Sequence, residues 1–158
     1  LQVATQKGDW KQLFTTQESA PKSGKVFSLW FDHGKVPLEQ DYAYIIYPHS
    51  KASEMPQRVK SDIQILSNNP GLQAVACRDR SLIRAVFYEP GSLEWAKNKE
   101  LETDTPCIIS LDQQGNVLLV ADPTQKAKQL CLKVEGKPIT VQLPTGGNAG
   151  NTVKVNMK

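Results

Sequence analysis

The stretch VFSLWFDHGKVPLEQDYAYIIY, residues 26–47, sets the class of the chain. Val26-Phe27-Ser28-Leu29-Trp30-Phe31 is apolar on both faces, as a strand covered on both sides must be. Asp32-His33-Gly34 interrupts it. Gly34 tolerates backbone angles closed to other residues, and Pro37 has no amide hydrogen to give to a sheet ladder, so residues 34–40 are expected as a loop. Tyr42-Ala43-Tyr44-Ile45-Ile46-Tyr47 resumes with strong β formers until Pro48 ends the run. One hairpin is therefore expected, with Trp30 in the core and the tyrosines filling a sandwich face, their hydroxyls at its rim.

Upstream, residues 1–5 alternate apolar and polar, and Gly8-Asp9 is a turn signal before Trp10 and Leu13, which could plug a sandwich edge. Residues 15–25 form a polar connection containing Pro21 and Gly24. Downstream, residues 50–62 shift to Lys, Ser, Glu, Gln and Arg around Pro56, and Ser53 with Glu54 could start a short helix. The change of composition places a domain boundary here: residues 1–49 as the end of one domain, residues 50–158 as a second. From residue 63 on, short apolar runs (63–66, 72–77, 82–88, 107–111, 117–121) are separated by Asn, Pro, Gly and Asp, the spacing of an all-β sandwich or barrel. Leu130, Leu132 and Val134 facing Ile139, Val141 and Leu143 across Glu135-Gly136-Lys137 make the clearest hairpin. The intervening Gln129, Lys133, Thr140 and Gln142 turn one face to water. Val153 and Val155 mark a last, edge-like strand.

The order "aromatic-rich strand, Asp-His-Gly, loop with Pro, Tyr-Ala-Tyr, aliphatics, Pro" closely resembles the closing segment of the central β-sandwich of polysaccharide lyase family 8. That family contains the chondroitin AC, hyaluronan and xanthan lyases. Trp30, Asp32, His33, Gly34, Tyr42 and Tyr44 carry the resemblance as a structural motif. Asn68-Asn69-Pro70-Gly71-Leu72-Gln73-Ala74-Val75, Ser92-Leu93-Glu94-Trp95, Thr105-Pro106-Cys107 and Ala121-Asp122-Pro123-Thr124-Gln125 continue it through nearly the whole chain. Each tetrapeptide alone is weak; the ordered set is specific. The Asp-Pro-Thr-Gln element is more like the chondroitin AC branch than the chondroitin ABC branch. The resemblance implies terminal strands of the central sandwich, followed by an antiparallel β-sandwich that forms the C-terminal domain of a polysaccharide lyase.

Composition narrows the function classes. Of 158 residues, 39% are hydrophobic, and low-complexity tracts are absent, as in a folded chain. No apolar run approaches the ~20 residues of a membrane-spanning helix. A net charge of +3, with lysines scattered along the chain, is too small for a nucleic-acid binder. The chain opens in mid-alternation without a signal peptide, which suggests excision from a longer precursor. Cys77, Cys107 and Cys131 are odd in number, lack CxxC spacing and sit in apolar runs, so buried thiols are expected. Neither histidine stands at ligand spacing from a cysteine, so no metal site is expected.

The family cleaves uronic-acid polysaccharides by β-elimination, which needs the uronate carboxylate neutralised, a base for the C5 proton and an acid for the leaving oxygen. The resemblance assigns that work to Asn, Tyr, His, Arg and Glu in an α/α-toroid domain preceding the β domains, and none of that set matches this chain. His33 lies beside Asp32 and near Tyr42 and Tyr44, an arrangement able in principle to shuttle protons, but a strand break satisfying its own backbone explains it better. Trp10 and Trp95 could stack on sugar rings. Arg78 and Arg80, with Arg58 and Arg84, could meet carboxylate or sulfate, although Arg78-Asp79-Arg80 reads more simply as a solvated turn.

The sequence thus points to the non-catalytic C-terminal β portion of a secreted or periplasmic lyase acting on chondroitin sulfate or hyaluronan. No catalytic residue and no cofactor are expected in this portion. Its expected partners are the α/α-toroid and central β domains of its own precursor and, through the whole enzyme, an acidic polysaccharide; nucleic acid and membrane are not among them. The alternative is an independent carbohydrate-binding module for acidic polysaccharides.

Overall fold

A computed structural model of the chain describes residues 2–9, 12, 21–58, 63–77, 81–114 and 116–157. The chain divides into two compact units, Leu1–Tyr44 and Ile45–Lys158.

In the first unit, β1 (Gln2–Gly8) and β2 (Lys22–Ser28) form a two-stranded antiparallel sheet with Gln2 opposite Ser28 and Gly8 opposite Lys22. The expected hairpin between residues 26–31 and 42–47 is not made: β2 stops at Ser28, and residues 42–47 form no strand. The cause lies in the partner choice. β2 pairs with β1, and no strand is paired with residues 42–47, whose β propensity stays latent without a ladder. Trp30, expected in the core, is 54% exposed for the same reason. The loop expectation for residues 34–40 is met at its start, where Gly34 takes φ 77° and its amide donates to Asp32 Oδ1 at 2.9 Å.

The second unit begins with a 3-10 turn, Ala52–Glu54, and one turn of helix, α1 (Met55–Arg58). Among the described residues ten strands follow: β3 (Ile63–Asn68), β4 (Leu72–Cys77), β5 (Leu82–Phe87), β6 (Gly91–Ala96), β7 (Lys99–Thr103), β8 (Cys107–Asp112), β9 (Val117–Ala121), β10 (Gln129–Val134), β11 (Lys137–Gln142) and β12 (Val153–Asn156). They form two sheets with antiparallel pairing throughout, a six-stranded one in the order β12-β9-β8-β5-β4-β3 and a four-stranded one in the order β11-β10-β7-β6.

Alternation builds the core between these sheets. Along β5, β8 and β9 the inward positions are Ile83, Ala85, Phe87, Cys107, Ile109, Leu111, Leu118 and Val120. Leu93, Leu101, Leu130, Leu132, Val134 and Val141 come from the other sheet, and all belong to one buried cluster. Each Leu or Ile fully removed from water contributes about 1.5–3 kcal/mol. The β10–β11 hairpin has the anticipated facing, with Leu130 opposite Val141 and Leu132 opposite Ile139. Its two-residue turn places Glu135 (φ 49°) and Gly136 (φ 77°) in the left-handed region that such turns demand. Glutamate is an unusual choice there, and its carboxylate lies 2.6 Å from Lys99 Nζ on β7. At the Asn-rich turn, Asn69 Oδ1 accepts from the amides of Gly71 and Leu72 at 3.0 and 2.8 Å, which closes β3 onto β4.

Candidate functional site

In the second unit an open groove of about 540 Å³ runs over the outer face of the four-stranded sheet. Pro90, Ser92, Glu100, Glu102, Asp104, Cys131 and Lys133 line it. Ser92, Glu100, Glu102, Cys131 and Lys133 are outward positions of β6, β7 and β10, opposite in sense to the buried Leu93, Leu101 and Leu132, while Pro90 precedes β6 and Asp104 follows β7. Lys133 Nζ sits 2.7 Å from Glu102 Oε2, and that carboxylate raises the lysine pKa. Asp104 accepts from the Cys131 amide at 2.9 Å and the Thr105 hydroxyl at 2.8 Å, and these bonds hold its carboxyl below the usual value. The groove therefore presents several carboxylates and one lysine that is already paired.

The three cysteines differ from the expectation of buried thiols. Only Cys107 is buried; Cys77 is half-buried and Cys131 is exposed, and all three are free. Strand register explains the difference, because Cys131 alternates with Leu130 and Leu132 and so points outward. Burial pushes the Cys107 thiol pKa up, despite the Thr103 hydroxyl 3.5 Å from its sulfur, which makes it a poor nucleophile. Among the described residues no group of three His, Cys, Asp or Glu side chains is arranged to hold a metal ion. No described helix is long and apolar enough to cross a membrane.

The remaining candidates are dispersed. Trp10, Arg78 and Arg80 lie outside the described residues. Arg58 is engaged locally: its guanidinium reaches Glu54 at 3.3 Å and lies 5.7 Å over the Tyr47 ring, while its carbonyl accepts from the Tyr47 hydroxyl at 3.2 Å. Arg84 stands on β5 opposite Val75 and Ser110, on the sheet remote from the groove. In the first unit, half-buried His33 lies 6.2 Å from the Tyr42 ring, which also neighbours Phe31 at 5.0 Å and Tyr44 at 6.5 Å. Asp32 is committed to the Gly34 amide. These rings form a cluster.

Trp95, on β6, is half-buried and packed against the core, and its indole Nε1 is buried with no hydrogen-bond partner among the described residues. An orphaned buried donor costs about 1–3 kcal/mol. Trp95→Phe, which deletes the donor and keeps most of the ring area, is therefore expected to change stability by less than about 1 kcal/mol, whereas Trp95→Ala should lose about 2–3 kcal/mol. Urea unfolding of both variants checks this, and a larger loss for the Phe variant would mean that the indole N–H is satisfied after all.

The motif Ala121-Asp122-Pro123-Thr124-Gln125 has a structural purpose that its sequence did not disclose. Asp122 is 2% exposed and its two carboxylate oxygens take four hydrogen bonds. The Thr124 amide and hydroxyl donate at 2.8 and 2.7 Å, and the Lys126 and Ala127 amides at 2.9 and 2.8 Å. Burial alone would push the carboxyl up, but these four donors outweigh it and hold it below the usual 3.8. The side chain thereby fixes the loop between β9 and β10, joining the two sheets.

Comparison with known proteins agrees with this architecture. Residues 1–59 match the super-sandwich domain of polysaccharide lyase family 8, and residues 64–130 match the family's C-terminal beta-sandwich domain. Chondroitinase-AC of Pedobacter heparinus is 33% identical over 164 residues, covering 98% of this chain and 23% of its own length. Hyaluronate lyase of Thermasporomyces composti is 22% identical over 125 residues, covering 77% of this chain and 15% of its own. A solved chondroitinase AC lyase, studied in enzyme-oligosaccharide complexes, superposes with TM-score 0.80 at 33% identity, over 96% of this chain and 24% of that one. The chain thus spans less than a quarter of the relatives it matches. With both domain types in the same order, and the two-sheet antiparallel sandwich expected of the second, the chain belongs to polysaccharide lyase family 8 and represents its C-terminal β region.

Proposed function

We propose that this chain is the non-catalytic C-terminal β portion of a secreted lyase that degrades chondroitin sulfate or hyaluronan by β-elimination, and that it supports catalytic machinery located elsewhere in a longer protein. The observation that carries this reading is the 98% coverage of this chain against 23% of chondroitinase-AC. The residues themselves fit a supporting role: His33, Asp32 and Tyr42 are tied into a ring cluster and a turn, and Asp122 into a loop. On this reading residues 1–49 are the end of the central sandwich and residues 50–158 the C-terminal domain. An independent module for acidic polysaccharides gains nothing from the groove, where Glu100, Glu102 and Asp104 would repel a polyanion and Lys133 is already paired.

The isolated chain is expected to produce no unsaturated uronate from chondroitin sulfate, hyaluronan or xanthan, followed by ultraviolet absorbance, and to pass unretained through a chondroitin column at physiological salt. Product formation abolished by His33→Ala would move His33 into catalysis. Retention that survives added salt would favour the binding module.

A further inference from the structure

Asp122 and Pro123 form the sole Asp-Pro pair of the sequence. Such a pair carries its own nucleophile for the bond that joins it. The aspartate carboxylate can reach the carbonyl carbon of its own residue by closing a small ring, and an intramolecular approach of this kind needs no second molecule to be positioned. The leaving group helps as well. A proline nitrogen is part of a tertiary amide, and in acid it takes up a proton more readily than an ordinary peptide nitrogen.

The fold disarms this pair. Asp122 is 2% exposed, and both its carboxylate oxygens are committed to donors further along the chain, on Thr124, Lys126 and Ala127. The carbonyl of the Asp122-Pro123 bond is itself held, accepting from the Gln125 amide at 3.2 Å. Gln125 takes φ 61° and lies against Gly150, at φ 84°, where an added Cβ would come within 3.1 Å of Gln125 Cγ. The Leu143 amide donates to the Lys128 carbonyl at 2.9 Å. These contacts bind together the β9–β10 and β11–β12 connections, both of which cross between the two sheets. The titratable neighbours are few: Lys126 and Lys128 are exposed on the same loop, and on β8 the Cys107 thiol, which feels the charges of Asp122 and Asp104, stays protonated in acid.

We propose that the Asp122-Pro123 bond is a self-cleavage site, kept shut by the folded loop and released when acid opens it. In the opened loop a carboxylate oxygen of Asp122 bonds to the carbonyl carbon of the same residue, the carbon–nitrogen bond to Pro123 breaks, and the proline nitrogen leaves with a proton from the acidic solvent. Solvent water then opens the cyclic anhydride to two carboxyl groups, so the net reaction is hydrolysis of one peptide bond. The fragments are residues 1–122 and 123–158. β10, β11 and β12 go with the second, together with Leu130, Leu132 and Val141 of the core. Cleavage thereby turns a transient opening in acid into a permanent loss of the sandwich.

The 158-residue chain is incubated at the lowest pH at which circular dichroism still shows it folded, with and without concentrated urea, and the fragments are identified by mass. Urea should speed the appearance of the two fragments about tenfold or more, because a bond protected by structure breaks only in the open fraction. Equal rates with and without urea overturn the proposal. Asp122→Asn, compared with the parent in urea where folding no longer enters, should slow cleavage at this bond about tenfold or more. Unchanged cleavage there shows that the carboxylate is not the nucleophile and overturns the proposal too. Gly150→Ala touches neither reacting residue but strains the left-handed position and crowds Gln125, so without urea it should cleave about fivefold faster or more, and in urea at the parent's rate. A folded Gly150→Ala chain that cleaves no faster than the parent means that these contacts do not keep the bond shut.

Discussion

Phe87→Ala should destabilise the second unit by about 3–5 kcal/mol, the range for deleting a large buried aromatic. Phe87 is 2% exposed at the end of β5, paired with Leu72 on one side and Cys107 on the other, so its ring fills one end of the core between two central strands of the six-stranded sheet. Neither neighbour can collapse into the vacated space without leaving its ladder, which keeps the cavity open. The stability of a domain this size is about 5–15 kcal/mol, so the variant would lose a large part of it. Guanidinium unfolding should show the midpoint falling with an unchanged slope. A loss below about 1 kcal/mol would mean that the two sheets are not packed as described.

Asp122→Ala is the second large effect, expected to cost about 2–4 kcal/mol because three amides and a hydroxyl lose their acceptor at once. Asp122→Asn should be nearly as damaging, since its amide nitrogen would face donors with another donor. Acidity provides an independent check. The folded-state pKa is depressed below the usual 3.8. As pH falls, the unfolded chain therefore takes up the proton first, and protonation favours unfolding. The contribution of Asp122 is complete above about pH 4–5 and drains away as pH drops through 3.8 towards the folded value. Asp104, depressed by the Cys131 amide and Thr105 hydroxyl, adds to the same trend. Melting temperature measured from pH 7 to pH 2 should fall less in Asp122→Ala than in the parent; parallel curves would show that this carboxylate carries no such linkage.

Much of the second unit was legible in the sequence because alternation is a direct image of one-sided burial. β4 and β9 coincide with the apolar runs at residues 72–77 and 117–121, and the β10–β11 facing followed from Leu130, Leu132 and Val141. β6 and β7 were passed over as strands. Their outward positions include Glu94, Glu100 and Glu102, and a bulge between Glu94 and Ala96 shifts the period, so Leu93 and Leu101 stood alone in a charged stretch. The four-bond anchor at Asp122 was equally hidden, because a buried carboxylate and a surface turn aspartate share the same local sequence, Asp-Pro-Thr. The first unit failed for a different reason. Residues 26–31 and 42–47 have strand character, but strand formation requires a neighbour, and pattern alone does not say which neighbour lies within the chain.

That segment has a consequence for handling the protein in solution. Tyr42-Ala43-Tyr44-Ile45-Ile46-Tyr47 is six residues without a charge, a proline or a glycine, with Tyr42, Tyr44 and Ile46 58%, 58% and 75% exposed. Peptides of this composition stack with copies of themselves into cross-β fibrils, each backbone group satisfied by the chain above and below. The flanking Asp41 and Pro48 act as gatekeepers at its two ends. The segment thus has the composition of a nucleus for self-assembly, and aggregation of the purified chain is expected to begin at these six residues rather than from melting of the second unit.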